Sequence, residues 1–385
     1  MELVKLIIRN VFRHKLRSAL TIVGVAVAML AFGILRTLVG AWYVGVEASQ
    51  ADRLVTRNKI SLIYTLPVAY RNKILQVSGV SGAAYGIWYG GIYKDKKNFF
   101  AQLGVSGTDY FDLYPEFVIP DSAKEAFGRE RNAAIAGRRL ADRFGWKVGD
   151  VIPLQGTIFP GNIELVLRGI YRGARNTVDE SVLFFRWDYL NEMLKKTLPD
   201  KADKTGWYLI RIKDPDRAAE ISQEIDTLFE SSLAETITET EKAFQLGFVA
   251  MTGAIVGAVQ IISIVVIGII LMVLGNTMAM TARERSSEYA VLKTLGFRPW
   301  FLFLLISGES VAIAMLGGIT GAVLSFPGGR LFQAQLESFI PVFEIATSTL
   351  ALILGISFIV GLLAAFPPAF RVSRTGIAEG LRHIG

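Results

Sequence analysis

Cysteine is absent from this chain of 385 residues, and histidine occurs only at positions 14 and 383. The lack of cysteine excludes disulfides, thiolate nucleophiles and cysteine-based metal sites within the sequence. Two histidines at opposite ends of the sequence do not form a histidine-based zinc or catalytic centre. We therefore predict no catalytic, metal-ligating or cofactor-binding residue in this chain.

Charged residues are also scarce, at 19% of the sequence against about 25% in soluble domains. The chain is 52% hydrophobic and its mean hydropathy is +0.41, which is typical of a membrane protein. Residues 46–246 contain 27 basic and 27 acidic residues, so the net charge of +7 lies outside them. A nucleic-acid groove would need clustered positive charge in a folded domain, which this distribution does not provide.

Four segments are long and apolar enough to cross a bilayer, which takes about 20 residues. The first begins at Ser18, is interrupted only by Arg36 and ends with Trp42 and Tyr43, which suit a membrane interface. A cleaved signal peptide would have a hydrophobic part of only about 7–15 residues. We predict spans at 18–45, 246–280, 299–327 and 347–369.

The second apolar segment is longer than a bilayer requires. The 40 residues between Lys242 and Arg283 carry no charge and no proline. As one helix they would reach roughly 60 Å, about twice the hydrocarbon thickness. We predict a single long helix whose first part stands outside the membrane.

The distribution of basic residues orients the spans, because cytoplasmic segments carry an excess of lysine and arginine. The predicted loop 328–346 has one basic residue, Arg330, whereas residues 1–17, 281–298 and 370–385 are rich in basic residues. These last three segments, and hence both termini, are predicted to be cytoplasmic in a multi-pass protein of the bacterial inner membrane. Residues 1–17 have the spacing of an amphipathic helix on the inner membrane surface. The basic residues on that side are Lys5, Arg9, Arg13, Lys15, Arg17, Arg283, Arg285, Lys293, Arg298, Arg371, Arg374 and Arg382.

Residues 46–245 are expected to form a periplasmic domain. Runs such as "ISLIYTL", "AAIAG", "IELVLRGIY" and "WYLIRI" predict strands, and "WDYLNEMLKK" predicts an amphipathic helix. Its acidic residues are scattered as on a solvated surface. The predicted fold class is an α-helical membrane protein with four transmembrane helices and an α+β periplasmic domain inserted between the first and second.

The segment 281–298 lies between the second and third spans. Tyr289, Leu292 and Leu295 fall on one side of a predicted helix, and Gly296 suits its C-cap. A solvated connector would account for the arginines alone. A short helix held rigidly between two spans could instead pass motion from a soluble partner into the membrane.

"RERSSEYAVLKTLGF", from Arg283 to Phe297, resembles the signature of the FtsX-like permeases, a family that includes the MacB and LolC/LolE transporters. The segments "RNVFRHKLRSALTIVGVAVA", "GVSGTDYFDLYPEF" and "GESVAIAMLGGITG" are similar to other parts of the family, so the resemblance covers nearly the whole chain. Ile377 stands where the family often has proline. The resemblance implies a coupling helix that docks on an ATPase. Its residues here are Arg283, Glu284, Arg285, Glu288, Tyr289, Leu292, Lys293 and Gly296.

The third span contains an acidic residue, Glu309, predicted to lie near the middle of the membrane. A charge there costs about 2.5–3.5 kcal/mol on insertion scales, so we expect it to face protein. An interhelical hydrogen bond is the favoured role, and substrate or proton handling is the alternative. Gly317 and Gly321 are predicted to allow close helix packing.

The sequence contains no Gly–Lys pair and hence no P-loop for ATP. The resemblance implies a non-catalytic permease subunit that forms a homodimer and is surrounded by membrane lipid. A partner ABC ATPase would bind ATP and magnesium. The resemblance further implies efflux through a periplasmic adaptor and an outer-membrane channel. Extraction of lipoprotein or lipid from the membrane, and regulation of a cell-wall hydrolase, are the alternatives.

Overall fold

A computed structural model of the chain describes residues 2–175, 177–336, 343 and 345–374. Two compact units divide the chain, one built from residues 1–41, 252–336 and 343–385 and the other from 42–251 and 337–342. The predicted fold class is confirmed: four helices are long and apolar enough to cross a membrane, and a sheet domain lies between the first and second. The described helices at the two ends of the chain are α1 (Glu2–Val11), α2 (Lys15–Ala48), α9 (Glu241–Met251), α10 (Gly253–Glu284), α11 (Ser286–Thr294), α12 (Pro299–Leu336) and α13 (Thr347–Arg374).

The first of these units, which we call the membrane unit, has an apolar core formed by α2, α10, α12 and α13. Met29, Leu274, Ala314 and Ile353 lie in this core and are at most 1% exposed. Glycines let the helices approach closely. A Cβ atom on Gly317 would lie 2.5 Å from Val25, so α12 and α2 can pack only because that atom is missing.

Gly321 extends the same contact one turn further along α12. A Cβ atom there would lie 2.7 Å from the carbonyl oxygen of Ala26 and 2.8 Å from the Cβ of Met29. Both glycines that the sequence suggested for helix packing therefore lie against the first span.

Two helix boundaries differ from the prediction. The long second helix is interrupted at Thr252, and the chain resumes as α10 at Gly253, a residue type that weakens a helix. At the other end, α12 continues through Pro327 to Leu336, beyond the predicted limit of 327. Proline is tolerated in membrane-spanning helices because neighbouring groups compensate for the missing N–H.

The inserted domain contains a mixed sheet. Its strand order is β13-β1-β12-β3-β5-β10-β7-β9-β8-β4, with β6 paired to β9 and β11 paired to β2 in a separate ladder. The strands are β1 (Arg53–Asn58), β2 (Leu66–Pro67), β3 (Val80–Trp88), β4 (Gly91–Ile92), β5 (Gln102–Val105), β6 (Phe117–Val118), β7 (Ala133–Gly137), β8 (Val151–Gly156), β9 (Asn162–Gly173), β10 (Leu183–Arg186), β11 (Lys204–Thr205), β12 (Trp207–Ile212) and β13 (Thr236–Thr240).

Helices cover both faces of this sheet, so its central strands are apolar on both sides. Along β10, Leu183 and Phe185 face one core cluster while Phe184 faces the other. The helices of the domain are α3 (Tyr70–Ile74), α4 (Thr108–Leu113), α5 (Asp121–Arg129), α6 (Arg138–Phe144), α7 (Trp187–Thr197) and α8 (Ala218–Phe229).

One strand prediction in this domain is wrong. The run "ISLIYTL" at 60–66 forms turns up to Leu66, and Ile60 and Ile63 are 77% and 87% exposed. The strand lies instead in the more polar segment β1, because pairing with β12 and β13 on both sides fixes it there. The predicted strands in "AAIAG", "IELVLRGIY" and "WYLIRI" are confirmed as β7, β9 and β12.

A buried arginine, Arg53, forms an ion pair that links the first strand of this domain to the helix that follows its last strand. Arg53, at the start of β1, is 1% exposed, and its Nε donates to Glu241 at the start of α9 over 2.8 Å. Its Nη2 lies 2.6 Å from Glu116, and its guanidinium stacks 4.3 Å from the ring centroid of Tyr114. Burial raises the pKa of the Tyr114 hydroxyl well above its ordinary value. The domain therefore holds the segments where the chain enters and leaves it in one charged cluster.

Candidate coupling elbow

The candidate site is the sharp turn between α10 and α12, which we call the elbow and define as residues 283–298. The α10 helix ends at Glu284, Arg285 forms the junction and α11 follows. Arg283 and Glu284 therefore belong to the last turn of α10, although the sequence placed them in the coupling helix.

A Schellman motif ends α11. Gly296 has φ +88°, its N–H donates to the carbonyl of Lys293 over 3.0 Å, and the N–H of Phe297 donates to Leu292 over 3.1 Å. Glycine adopts this left-handed conformation without the cost that a Cβ atom imposes. The chain can thus leave α11 and enter α12 within a few residues.

One face of α11 packs against the membrane unit. Tyr289 is 2% exposed and lies in an apolar cluster with Leu302, Leu305 and Ala365. Burial raises the pKa of the Tyr289 hydroxyl to about 12, so the ring stays neutral. Leu292 packs against the same cluster.

Lys293 ties α11 to the end of α13. Its Nζ donates to the carbonyl oxygens of Val372 over 2.7 Å and Ser373 over 3.2 Å. Partial desolvation lowers the pKa of this ammonium group. A cation at the C-terminal end of a helix is favourable because the last carbonyls carry partial negative charge.

Charged side chains at the junction form a continuous network of ion pairs. Arg285 donates from Nη1 to Glu309 over 3.0 Å and from Nε to Glu288 over 3.1 Å, and Glu288 accepts two bonds of 2.7 and 2.9 Å from Arg13. The side chains of Arg285 and Glu309 are 8% and 7% exposed. The guanidinium of Arg285 also lies 5.4 Å from the ring centroid of Tyr289. The turn between α1 and α2, the elbow and α12 are therefore linked by ion pairs.

Glu309 lies on α12 and faces the elbow. Because its carboxylate accepts a hydrogen bond from Arg285, it lies beside the α10–α11 junction. The hydrogen bond between helices, the favoured interpretation of Glu309, is present in the structure.

A second bridge lies one turn away, where Arg17 on α2 donates to both carboxylate oxygens of Glu284 over 2.6 and 2.9 Å. Sequence reasoning assigned Arg13 and Arg17 only to the positive charge of the inner surface. Their carboxylate partners lie 275 and 267 positions further along the chain, respectively, and no local pattern connects them.

The two arginine partners of Glu288 also lower the pKa of its carboxyl group. Partial burial alone would raise the pKa of its carboxyl, but hydrogen bonds from Arg285 and Arg13 outweigh burial and lower that pKa below its ordinary 4.5. Glu288 is therefore ionised at neutral pH, and both of its bridges are in place.

Three apolar side chains at the end of α11 and in the turn that follows it are exposed. Val291, Leu295 and Phe297 are 46%, 70% and 41% exposed and form an apolar surface that we call the elbow tip. Tyr289 and Leu292 anchor the helix inward, so the elbow tip is the part that a partner can reach. Among the residues that the structure describes, no group of three or more His, Asp or Glu side chains could hold a metal ion.

One family model and several known proteins match this chain in sequence. The family model described as FtsX-like permease C-terminal matches residues 260–377, which include α11, α12 and the elbow. An uncharacterized ABC transporter permease of Methanocaldococcus jannaschii is 24% identical over 99% of this chain and 98% of its own length.

The chain is also similar to part of a longer protein and to a solved structure of a single domain. The macrolide export ATP-binding/permease protein MacB of Escherichia coli K12 is 24% identical to this chain. The alignment covers 72% of this chain and 42% of the length of MacB. The extracellular domain of the noncanonical ABC-type transporter YknZ from Gram-positive bacteria aligns with 49% of this chain and 98% of its own, with a TM-score of 0.36 and 12% identity.

The four apolar helices, the inserted sheet domain and the matched segment define a multi-pass membrane protein with an FtsX-like permease domain. The chain is homologous to ABC transporter permeases that include MacB. Its residues 260–377 form an FtsX-like permease domain.

Proposed function

We propose that this chain is the non-catalytic subunit, in the bacterial inner membrane, that couples ATP hydrolysis by a separate cytoplasmic ABC ATPase to a conformational change of the periplasmic domain, which drives export. In this proposal the ATPase binds ATP and magnesium and docks on the elbow tip. Both termini and the elbow are cytoplasmic, and the inserted domain is periplasmic. The positive charge that flanks the elbow supports this orientation.

The construction of the elbow carries the proposal. An exposed apolar tip offers a partner surface, while the ion pairs of Arg285 and Glu288 fix the same helix to α12 and to the turn between α1 and α2. A push on a helix bonded to several neighbours moves those neighbours, whereas a loose connector would absorb it. Closure of the ATPase subunits would thus displace α10 and α12 together.

The proposed assembly contains two copies of this chain, each with one ATPase subunit. Its export route is a periplasmic adaptor and an outer-membrane channel. Homology to MacB, described as a macrolide export protein, favours efflux over the two alternatives.

The elbow tip is tested by charge insertion in the reconstituted complex of permease and ATPase. Burying one leucine contributes about 1.5–3 kcal/mol, so Leu295→Asp should weaken ATPase binding by about ten-fold or more. Leu233→Asp, at a fully exposed leucine of the inserted domain, is the matched control and should bind normally. Equal affinity for wild type and Leu295→Asp would exclude the elbow tip as the docking surface.

Co-purification from membranes with trapped nucleotide tests the export route. We expect an adaptor and a channel to accompany the permease dimer. Recovery of a lipoprotein-bound dimer or of a cell-wall hydrolase would instead support one of the two alternatives.

A further inference from the structure

A cleft of about 460 Å³ lies between α10 and α13, near the ends of both helices that adjoin the elbow. Most of its wall is apolar and includes Leu271, Leu363 and Pro367. The cleft exists because α10 presents small residues there. A Cβ atom on Gly275 would come no closer than 3.9 Å to the facing helix.

Positive charge gathers at one end of this apolar cleft. Arg283 stands on the last turn of α10 and Arg371 on the last turn of α13, and both line the cleft and are exposed. An apolar wall that ends in two guanidinium groups is complementary to a molecule with a hydrocarbon chain and an anionic head. Basic pockets between membrane-spanning helices bind phosphate-bearing lipid heads in this way.

We propose that the cleft binds one anionic glycerophospholipid, with an acyl chain against Leu271 and Leu363 and its phosphate between Arg283 and Arg371. A free phosphate would leave the apolar wall unfilled. A second copy of this chain fits less well, since the acidic residues near this end, Glu284, Glu288 and Glu309, are already bonded to arginines.

This site goes beyond the proposed export function, and its test does not depend on the ATPase. The purified full chain is titrated in detergent with phosphatidylglycerol or phosphatidylcholine, and bound lipid is counted by native mass spectrometry. We expect one tightly bound phosphatidylglycerol per chain, in preference to phosphatidylcholine.

Two pairs of variants identify the site. Each basic residue near an anionic lipid contributes about a five-fold factor, so Arg283→Gln with Arg371→Gln should weaken phosphatidylglycerol binding about 25-fold. Arg374→Gln, on the same last turn but outside the cleft, should change it less than two-fold. Gly275→Leu should fill the cleft and abolish binding, whereas Gly268→Leu, which points into open space on the same helix, should not.

The proposal fails if both lipids bind equally, if Arg374→Gln weakens binding as much as the double variant, or if Gly275→Leu retains the lipid. Displacement by inorganic phosphate at the same affinity would show an anion site without a lipid. A disulfide between Ala279→Cys of two copies would show that a second chain covers the cleft. Thermal unfolding of every variant, measured alongside, separates loss of lipid from loss of folding.

Discussion

Arg285, at the junction of α10 and α11, joins α11 to α12 through its guanidinium group. It is buried, and it contacts Glu288 and the ring of Tyr289 on α11 and Glu309 on α12. A buried charge is stable only while it is paired, since removing one partner leaves the other desolvated and unsatisfied. The rigidity of the elbow therefore depends on a few specific side chains.

Glu309→Ala tests this dependence. The substitution leaves Arg285 buried beside Tyr289 without its main carboxylate, and we expect a loss of about 3–5 kcal/mol in the free energy of unfolding. Thermal unfolding of the purified permease in detergent measures the effect. The double variant Arg285→Met with Glu309→Leu, which removes both charges, should recover most of the loss. An unchanged unfolding temperature for Glu309→Ala would show that the pair does not brace the elbow.

The bridge from Glu288 to Arg13 and Arg285 should depend on acid. The pKa of this carboxyl is lowered in the folded protein, so its contribution to stability is fully present above the unfolded value of 4.5. That contribution is lost as the pH falls through the lowered folded-state pKa. Unfolding temperatures recorded through the acidic range should therefore fall more steeply for wild type than for Glu288→Gln. Parallel curves for the two proteins would contradict the pairing.

The elements of the membrane unit depend on close packing between α2 and α12. Gly317 has no room for a Cβ atom, so Gly317→Ala forces the two helices apart. We expect it to cost about 1–3 kcal/mol of unfolding free energy, the usual cost of overpacking. Gly355→Ala on α13, where nothing lies within 4 Å, is the matched control and should be neutral or slightly stabilising. Equal stability of both variants would exclude a packing role for Gly317.

Some helices and strands could be predicted from the sequence and others could not. The spans were predictable because a bilayer demands long uncharged runs, and β12 because "WYLIRI" is apolar on both faces of a covered sheet. The turns at Ile60 were not predictable, since their apolar side chains are exposed and long-range pairing places the strand at β1. In the elbow, the sequence indicated the Gly296 cap, but the ion pairs with Arg13 and Arg17 join residues far apart in the chain.

The molecule as a whole combines two units with different physical demands. The inserted domain contains equal numbers of acidic and basic residues and a core between sheet and helices, as a water-exposed domain does. The membrane unit contains the apolar spans, and its positive charge collects around the elbow. The central claim is that the elbow faces the cytoplasm and the inserted domain faces the outside.

Labelling of single cysteines in intact cells tests this claim most directly. Because the chain has no native cysteine, Thr294→Cys on the elbow and Ser231→Cys in the inserted domain each provide the sole thiol. Both positions are exposed. With a membrane-impermeant maleimide, we expect Ser231→Cys to react at once and Thr294→Cys to react only after the membrane is permeabilised. Labelling of Thr294→Cys in sealed cells would place the elbow outside and contradict the account.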